Sequence, residues 1–106
     1  MIMLMPKTTK LPHRFEVYVP VSRMRAEYKR AIIDAIGGLT IQNAMGSWVD
    51  AQGNLVTEPV YILQFAGPFS GIDVVHSLVR QLLRDGEQAV FWTMDGKASI
   101  TEKADE

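Results

Sequence analysis

Few residues in this chain have the type and spacing that chemistry requires. Cysteine is absent, so no thiolate is available as a nucleophile or as a metal ligand. The two histidines, His13 and His76, lie far apart in the sequence, and neither has the spacing of a metal site. Gly37 and Gly38 end a predicted helix instead of opening one, which excludes a phosphate-binding loop. The sequence therefore predicts no metal and no cofactor.

Glu58 is the acid for which the sequence offers no structural role. Asp50 and Asp95, in contrast, stand at predicted turns, where aspartate is common for conformational reasons. Acid–base catalysis needs a base within hydrogen-bond reach of its target. Tyr61 and Thr40 are the polar side chains that could complete such a set with Glu58. Because this set is so small, we predict no catalytic centre and a protein that is not an enzyme.

Three aromatic residues could stack on a ligand: Trp48, Tyr18 and Trp92. The alternatives are that Trp48 covers the end of a hairpin and that Tyr18 and Trp92 are buried in a dimer. Arg25 and Arg30 belong to a basic helix face that could hold a phosphate or an acidic partner. Interleaved acids favour a solvated face instead. The candidates for binding a ligand or partner are Trp48, Tyr18, Trp92, Glu58, Arg25 and Arg30.

Alternating strands and helices must position these side chains. Hydrophobic periodicity predicts strands over residues 14–19, 39–45, 55–66, 87–94 and 97–101, and helices over residues 22–36 and 70–84. Ser22 is predicted to cap the first helix. Ser70 with Asp73 is predicted to form a capping box at the second.

The second and third strands are predicted to form a long hairpin. Its tip, residues 50–53, has Asp first and Gly fourth, as is typical of a type I turn. Gly46 and Ser47 indicate a bulge before Trp48. Because Pro59 cannot donate to a ladder, we expect it on an edge or at a bulge, where it divides a lip, residues 55–58, from a central strand, residues 60–66.

The element order β-α-β-β-α-β predicts an α+β fold of ferredoxin-like type, an antiparallel sheet with both helices on one face, with a possible extra C-terminal edge strand. Residues 13–102 are predicted to form this single domain. Residues 1–12 are predicted to be a flexible arm and residues 103–106 a solvated tail.

The arm has an alternative interpretation. Ile2 and Leu4 could dock on a partner or pair as an added strand, although termini are usually loose unless they are tied down. The sequence leaves the translation start open among Met1, Met3 and Met5.

A hairpin pattern supports the same fold. The segment 37–40, the triplet 46–48, and Asp50, Gly53 and Glu58 resemble a pattern of small uncharacterised bacterial and phage proteins of ferredoxin-like type. The resemblance covers residues 14–100. It implies a small accessory protein, often of mobile elements, and transfers no catalytic residue.

The composition and the strand pattern limit the classes of partner that we expect for this chain. The formal net charge of −1 provides no field that attracts nucleic acid or an anionic membrane, and we expect a cytoplasmic protein. Two strands are apolar on both faces, which predicts a homo-oligomer through the open sheet face. The favoured function is stoichiometric binding of a host or defence protein by a phage factor. The alternatives are a binder of a small nucleotide-like ligand and a dimeric α/β-barrel enzyme.

Overall fold

A five-stranded antiparallel sheet is the frame of the molecule, which the computed structural model describes over residues 4–104. The strand order is β2-β3-β1-β4-β5. The strands are β1 (His13–Pro20), β2 (Thr40–Val49), β3 (Leu55–Gly67), β4 (Ala89–Met94) and β5 (Lys97–Glu102), and the helices are α1 (Ala26–Ile36) and α2 (Gly71–Arg84). This order confirms the predicted ferredoxin-like α+β fold, including the extra edge strand.

Both helices cover the same face of the sheet. Phe15, Val17 and Val19 of β1 are fully buried against this layer, because alternate residues of a strand point to the same side. Tyr28 of α1 and Val75 of α2 belong to the same core. We call the opposite side the open face; it carries Glu16, Tyr18, Val60, Ile62, Phe91 and Ile100.

The first helix begins later than predicted. A single 3₁₀ turn, Val21–Arg23, follows β1, and α1 starts at Ala26 with Arg25 at its N-cap position. Arg25 has extended dihedrals, φ −130° and ψ 147°. The prediction that Ser22 caps this helix is therefore wrong, because the chain first crosses from the sheet to the helix layer.

The second helix also lacks its predicted cap. Ser70 occupies the N-cap position of α2 without a side-chain hydrogen bond to the backbone, so the capping box with Asp73 does not form. Three successive backbone N–H groups, of Gly71, Ile72 and Asp73, instead donate to carbonyls three residues earlier. This local turn satisfies the donors that the box would have satisfied.

The β2–β3 hairpin has an unbroken register. Gly46 pairs with Glu58 and Ser47 with Thr57, so the predicted bulge is absent. A Cβ at Gly46 would lie 3.3 Å from Cγ1 of Val60, which indicates that glycine permits a close approach here.

The hairpin tip and the lip are as expected. Gly53 has φ +83°, and its N–H donates to the carbonyl of Asp50 at 3.0 Å. The strand β1 ends where Pro20 pairs with Val60, so the part of β3 before Val60 has only β2 beside it. Pro59 therefore lies beyond the end of β1, where no residue of β1 would pair with the N–H that proline lacks.

Residues 4–12 contain neither helix nor strand and are exposed. The flexibility of the arm stays a prediction, and Met1, Ile2 and Met3 lie outside the described residues, as do the last two residues of the tail. Within residues 4–104, neither helix has the length and apolar character needed to cross a membrane.

Candidate functional site

Two of the predicted site residues, Trp48 and Glu58, come together on the hairpin. Glu58 lies directly opposite Gly46, and Trp48 points to the same side two residues further along β2. The ring atom Cζ3 of Trp48 is 3.7 Å from the position that a Cβ on Gly46 would occupy. The indole therefore lies over the glycine, on the same side of the hairpin as the side chain of Glu58. We call Gly46, Trp48, Glu58 and Val60 the hairpin site.

The environment of Glu58 is partly desolvated and charged. Burial raises the pKa of its carboxyl, and the neighbouring carboxylate of Glu87 raises this pKa further, whereas the guanidinium of Arg23 lowers it. Arg23 belongs to the 3₁₀ turn that follows β1, and this turn contacts β3. Trp48 is 44% exposed, so its ring remains accessible to a ligand.

Arg23 is held by two hydrogen bonds. Its Nε donates to Oε1 of Glu87 at 3.1 Å, and its Nη1 donates to the carbonyl oxygen of Asp85 at 2.7 Å. These bonds tie the 3₁₀ turn to the segment between α2 and β4. Arg23 thus contacts Glu87 directly, whereas no hydrogen bond or ion pair joins it to Glu58.

The polar set expected from the sequence is not assembled. Tyr61 pairs with Val19 and therefore points to the helix layer, opposite to Glu58. Thr40 pairs with Gln64, six residues along β3 from Glu58, which corresponds to roughly 20 Å at about 3.3 Å per residue. Strand alternation thus separates the set that sequence proximity suggested.

Tyr18 and Trp92 lie on opposite faces of the sheet. Trp92 pairs with Val17, so it points to the helix layer, where its Nε1 donates to Oγ1 of Thr101 at 2.9 Å. Tyr18 points to the open face, with its ring edge-to-face with Phe91 at a centroid distance of 4.7 Å. The two residues therefore cannot form one stacking platform. Burial, and then the charge of Glu16, raise the pKa of Tyr18.

The predicted arginines pair with acids that are not part of the hairpin site. Arg25 forms ion pairs with Glu27 at 2.8 Å and with Asp85 at 3.3 Å. The hydrogen bond to Asp85, followed by the charge of Glu27, raises the pKa of Arg25. Arg30 pairs with Asp34 one helical turn later, at 2.9 Å. Both guanidinium groups are thus occupied by local acids, which fits the solvated face that the sequence favoured.

Sequence reasoning missed Arg23 and Glu87 as members of the site. Arg23 lies before α1 begins and pairs with a residue 64 positions away, so no local spacing indicates the contact. Phe91 beside Tyr18 was missed for the same reason. The pairing of elements that are far apart in the chain cannot be predicted from a single sequence.

Both histidines contact other side chains of the fold. Nδ1 of His13 lies 2.8 Å from Oδ2 of Asp95, and the ring of His76 meets Trp92 edge-to-face at 5.7 Å. Over residues 4–104, no group of three or more His, Asp or Glu side chains is arranged to hold a metal ion.

Two solved structures resemble this chain over nearly its whole length. A phage SAM lyase in complex with S-methyl-5'-thioadenosine has a TM-score of 0.70 and 15% sequence identity, and the match covers 95% of this chain and 97% of that chain. A phage SAM lyase in the apo state has a TM-score of 0.67, with the same identity and coverage. No protein-family model matches the sequence, and neither does any curated protein.

This comparison corrects the functional prediction. At 15% identity the likeness establishes the fold alone, and both of these similar structures are of a phage SAM lyase, which is an enzyme. The prediction of a non-enzymatic protein that acts by stoichiometric binding is therefore wrong. The expected link to phage is supported.

Proposed function

We propose that this chain is an enzyme that cleaves S-adenosylmethionine (SAM) or a closely related sulfonium nucleoside. One observation carries the proposal: the fold matches, over 95% of this chain, that of a phage SAM lyase bound to S-methyl-5'-thioadenosine. That ligand is the nucleoside that remains when SAM loses its four-carbon amino-acid chain. The cleavage therefore breaks a carbon–sulfur bond.

The chemistry of the hairpin site is suited to such a substrate. A sulfonium is a soft cation, and aromatic faces and carboxylates are the protein groups that attract cations. The half-exposed indole of Trp48 and the carboxylate of Glu58 lie on one side of the hairpin. We assign these two residues to substrate binding. Two of the six residues selected from the sequence thus belong to the site that we propose.

The bond cleavage balances without a cofactor. The thioether leaves with the electron pair of the carbon–sulfur bond, so the sulfonium becomes neutral S-methyl-5'-thioadenosine. The carbon that the sulfur leaves has two alternative fates. Either the substrate's own carboxylate forms a bond to it and closes a lactone, or a base removes a proton from the adjacent carbon and an alkene forms. Glu58 is the acid of the hairpin site that could accept that proton.

A product assay tests the proposal. The purified protein is incubated with SAM, and the nucleoside and the amino-acid product are separated and identified by mass. We expect S-methyl-5'-thioadenosine in amounts far above the protein concentration, and the mass of the second product distinguishes lactone from alkene. Neutral S-adenosylhomocysteine serves as the matched control that should not react. Release of no more nucleoside than a heat-inactivated sample gives would refute the proposal.

A further inference from the structure

The outer strand β2 forms a long edge of the sheet. It is the first strand in the order β2-β3-β1-β4-β5, and within residues 4–104 no further strand pairs with its outer side. Its ten residues span roughly 33 Å at about 3.3 Å per residue, whereas a common strand has about five or six residues. Such an edge presents a row of backbone N–H and C=O groups with which another strand can pair.

The strand β2 lacks the features that protect exposed edges in soluble proteins. These features are charged residues, proline, a bulge or a short strand. The sequence of β2, TIQNAMGSWV, contains neither a charged residue nor a proline. Its register with β3 is continuous from Thr40 to Val49, so no bulge twists the edge away. The opposite edge strand, β5, has only six residues and carries Lys97 and Glu102 at its ends. One edge of the sheet is thus protected, and the other is open to pairing.

Three apolar side chains are exposed along one side of β2. Ile41, Met45 and Val49 are 37%, 66% and 65% exposed. They follow each other at intervals of four residues, so they point to the same side of the sheet. The helices lie on this side but do not cover these three residues. Asn43 and Ser47 stand between them, so the order apolar, polar, apolar, polar, apolar is the same in both directions.

This symmetric order matches a second copy of the same strand. In an antiparallel pair about a two-fold axis, each residue lies opposite the residue at the same distance beyond the axis. An axis at Met45 places Met45 opposite itself and Ile41 opposite Val49 of the second copy. It also places Asn43 opposite Ser47 of the second copy, so apolar residues meet apolar ones and polar residues meet polar ones. Because β2 carries no charge, like charges do not meet across the pair.

We propose that two copies of this chain pair through β2, antiparallel and about an axis at Met45, so that two five-stranded sheets join into one of ten strands. The axis is perpendicular to the joined sheet, and both helix layers therefore lie on the same side of it. The interface is the strand edge and not the open face. This inference goes beyond the proposed function and does not depend on cleavage of SAM.

Introduced cysteines test this pairing, because the chain has none of its own. A disulfide needs two Cα atoms about 4.4–6.8 Å apart, a distance that directly opposite residues of paired strands satisfy. Met45→Cys should therefore cross-link to its own copy under mild oxidation. Ile41→Cys and Val49→Cys should each fail to cross-link alone, since each lies roughly 26 Å from its own copy across the pair. An equimolar mixture of these two variants should give the mixed dimer.

The matched control is Ser99→Cys, which places the same thiol on the other edge strand, β5. Electrophoresis without reductant measures the dimer, and we expect Met45→Cys to cross-link roughly tenfold faster than Ser99→Cys. The same set in an Ile100→Lys background, which adds a charge to the open face, should give the same pattern. A thermal melt of each variant verifies that it is folded.

Charges at the axis provide a second test. Met45→Lys and Met45→Glu each place two like charges opposite each other, so each should lose the paired form in light scattering. An equimolar mixture of the two variants should regain it, because opposite charges then meet. Equal cross-linking of Met45→Cys and Ser99→Cys overturns the inference. So does a mixture of Ile41→Cys and Val49→Cys that gives no more dimer than either variant alone.

Discussion

Single glycines determine how closely parts of this chain approach one another. A Cβ at Gly46 would meet Val60, and a Cβ at Gly71 would lie only 2.6 Å from Cε2 of Phe15, the ring that α2 covers. Both positions allow a larger group to lie against the backbone, the indole of Trp48 in one case and the core ring in the other. The sequence singled out Gly46 but predicted a bulge there. A glycine in a strand indicates either a bulge or a close approach, and it does not reveal which residue packs against it.

The tip of the hairpin provides a test at the same scale. Gly53 has φ +83°, a conformation that β-branched residues resist, so Gly53→Val should lower the free energy of unfolding by roughly 1–2 kcal/mol. Gly38→Val is the matched control, because Gly38 lacks a positive φ and has open space where its Cβ would lie. Chemical denaturation measures both. Equal losses in the two variants would contradict the assigned turn geometry.

At the scale of elements, the sequence predicted both α-helices and all five strands, but it missed the 3₁₀ turn and ended the second strand at residue 45 instead of Val49. The apolar alternation of β1 and the turn at residues 50–53 are local signals, and both were correct. The start of α1 depends on the path between layers, which Ser22 could not reveal. The pairing of Glu58 with Gly46 allowed Trp48 and Glu58 to meet, and this depends on a register that only the folded hairpin fixes.

The turn between β4 and β5 is tied to the start of β1 by one carboxylate. Oδ1 of Asp95 accepts from the backbone N–H of Arg14 at 2.9 Å, and Oδ2 lies 2.8 Å from Nδ1 of His13. The bond with His13, followed by that with Arg14, lowers the pKa of Asp95. The carboxylate thus joins two strands that are distant in the sequence.

This tie predicts a pH-dependent stability. Because the folded-state pKa of Asp95 is depressed, its stabilisation is full above the unfolded value of about 3.9 and is lost as pH falls through the folded value. Asp95→Asn removes the charge and tolerates the positive φ of 53°. Thermal melts should therefore show the unmodified chain to be more stable at pH 7, with the difference shrinking below about pH 4. A difference that does not change with pH would contradict this.

At the scale of the whole molecule, apolar side chains remain exposed on the open face. Ile100 is 62% exposed and Phe91 37%. Polar residues such as Glu16 and Gln64 interrupt this surface, so the face is less apolar than the sequence indicated. The alternation in the sequence predicted which residues share a face of the sheet, but it could not predict which of those residues the helices cover.

We predict that the chain self-associates through this face. Light scattering at micromolar concentration should give a mass above the 11.9 kDa of one chain, because stable interfaces typically bury about 800 Å² per partner and this face offers apolar area. Ile100→Lys should shift the mass toward the monomer. Ile33→Lys, at an exposed isoleucine of the helix layer, should not. A monomer mass for the unmodified chain would refute the prediction.

The central claim is that the hairpin site binds a sulfonium nucleoside for cleavage, and the rate of SAM cleavage by Glu58→Gln tests it most directly. The same initial rates are measured for the unmodified chain and for Glu27→Gln, which also loses one carboxylate but lies on the helix layer. Loss of a charged contact predicts a fall in kcat/KM of roughly tenfold to a hundredfold for Glu58→Gln and less than twofold for Glu27→Gln. Equal rates for all three proteins, with each of them folded, would contradict the assignment of the hairpin site.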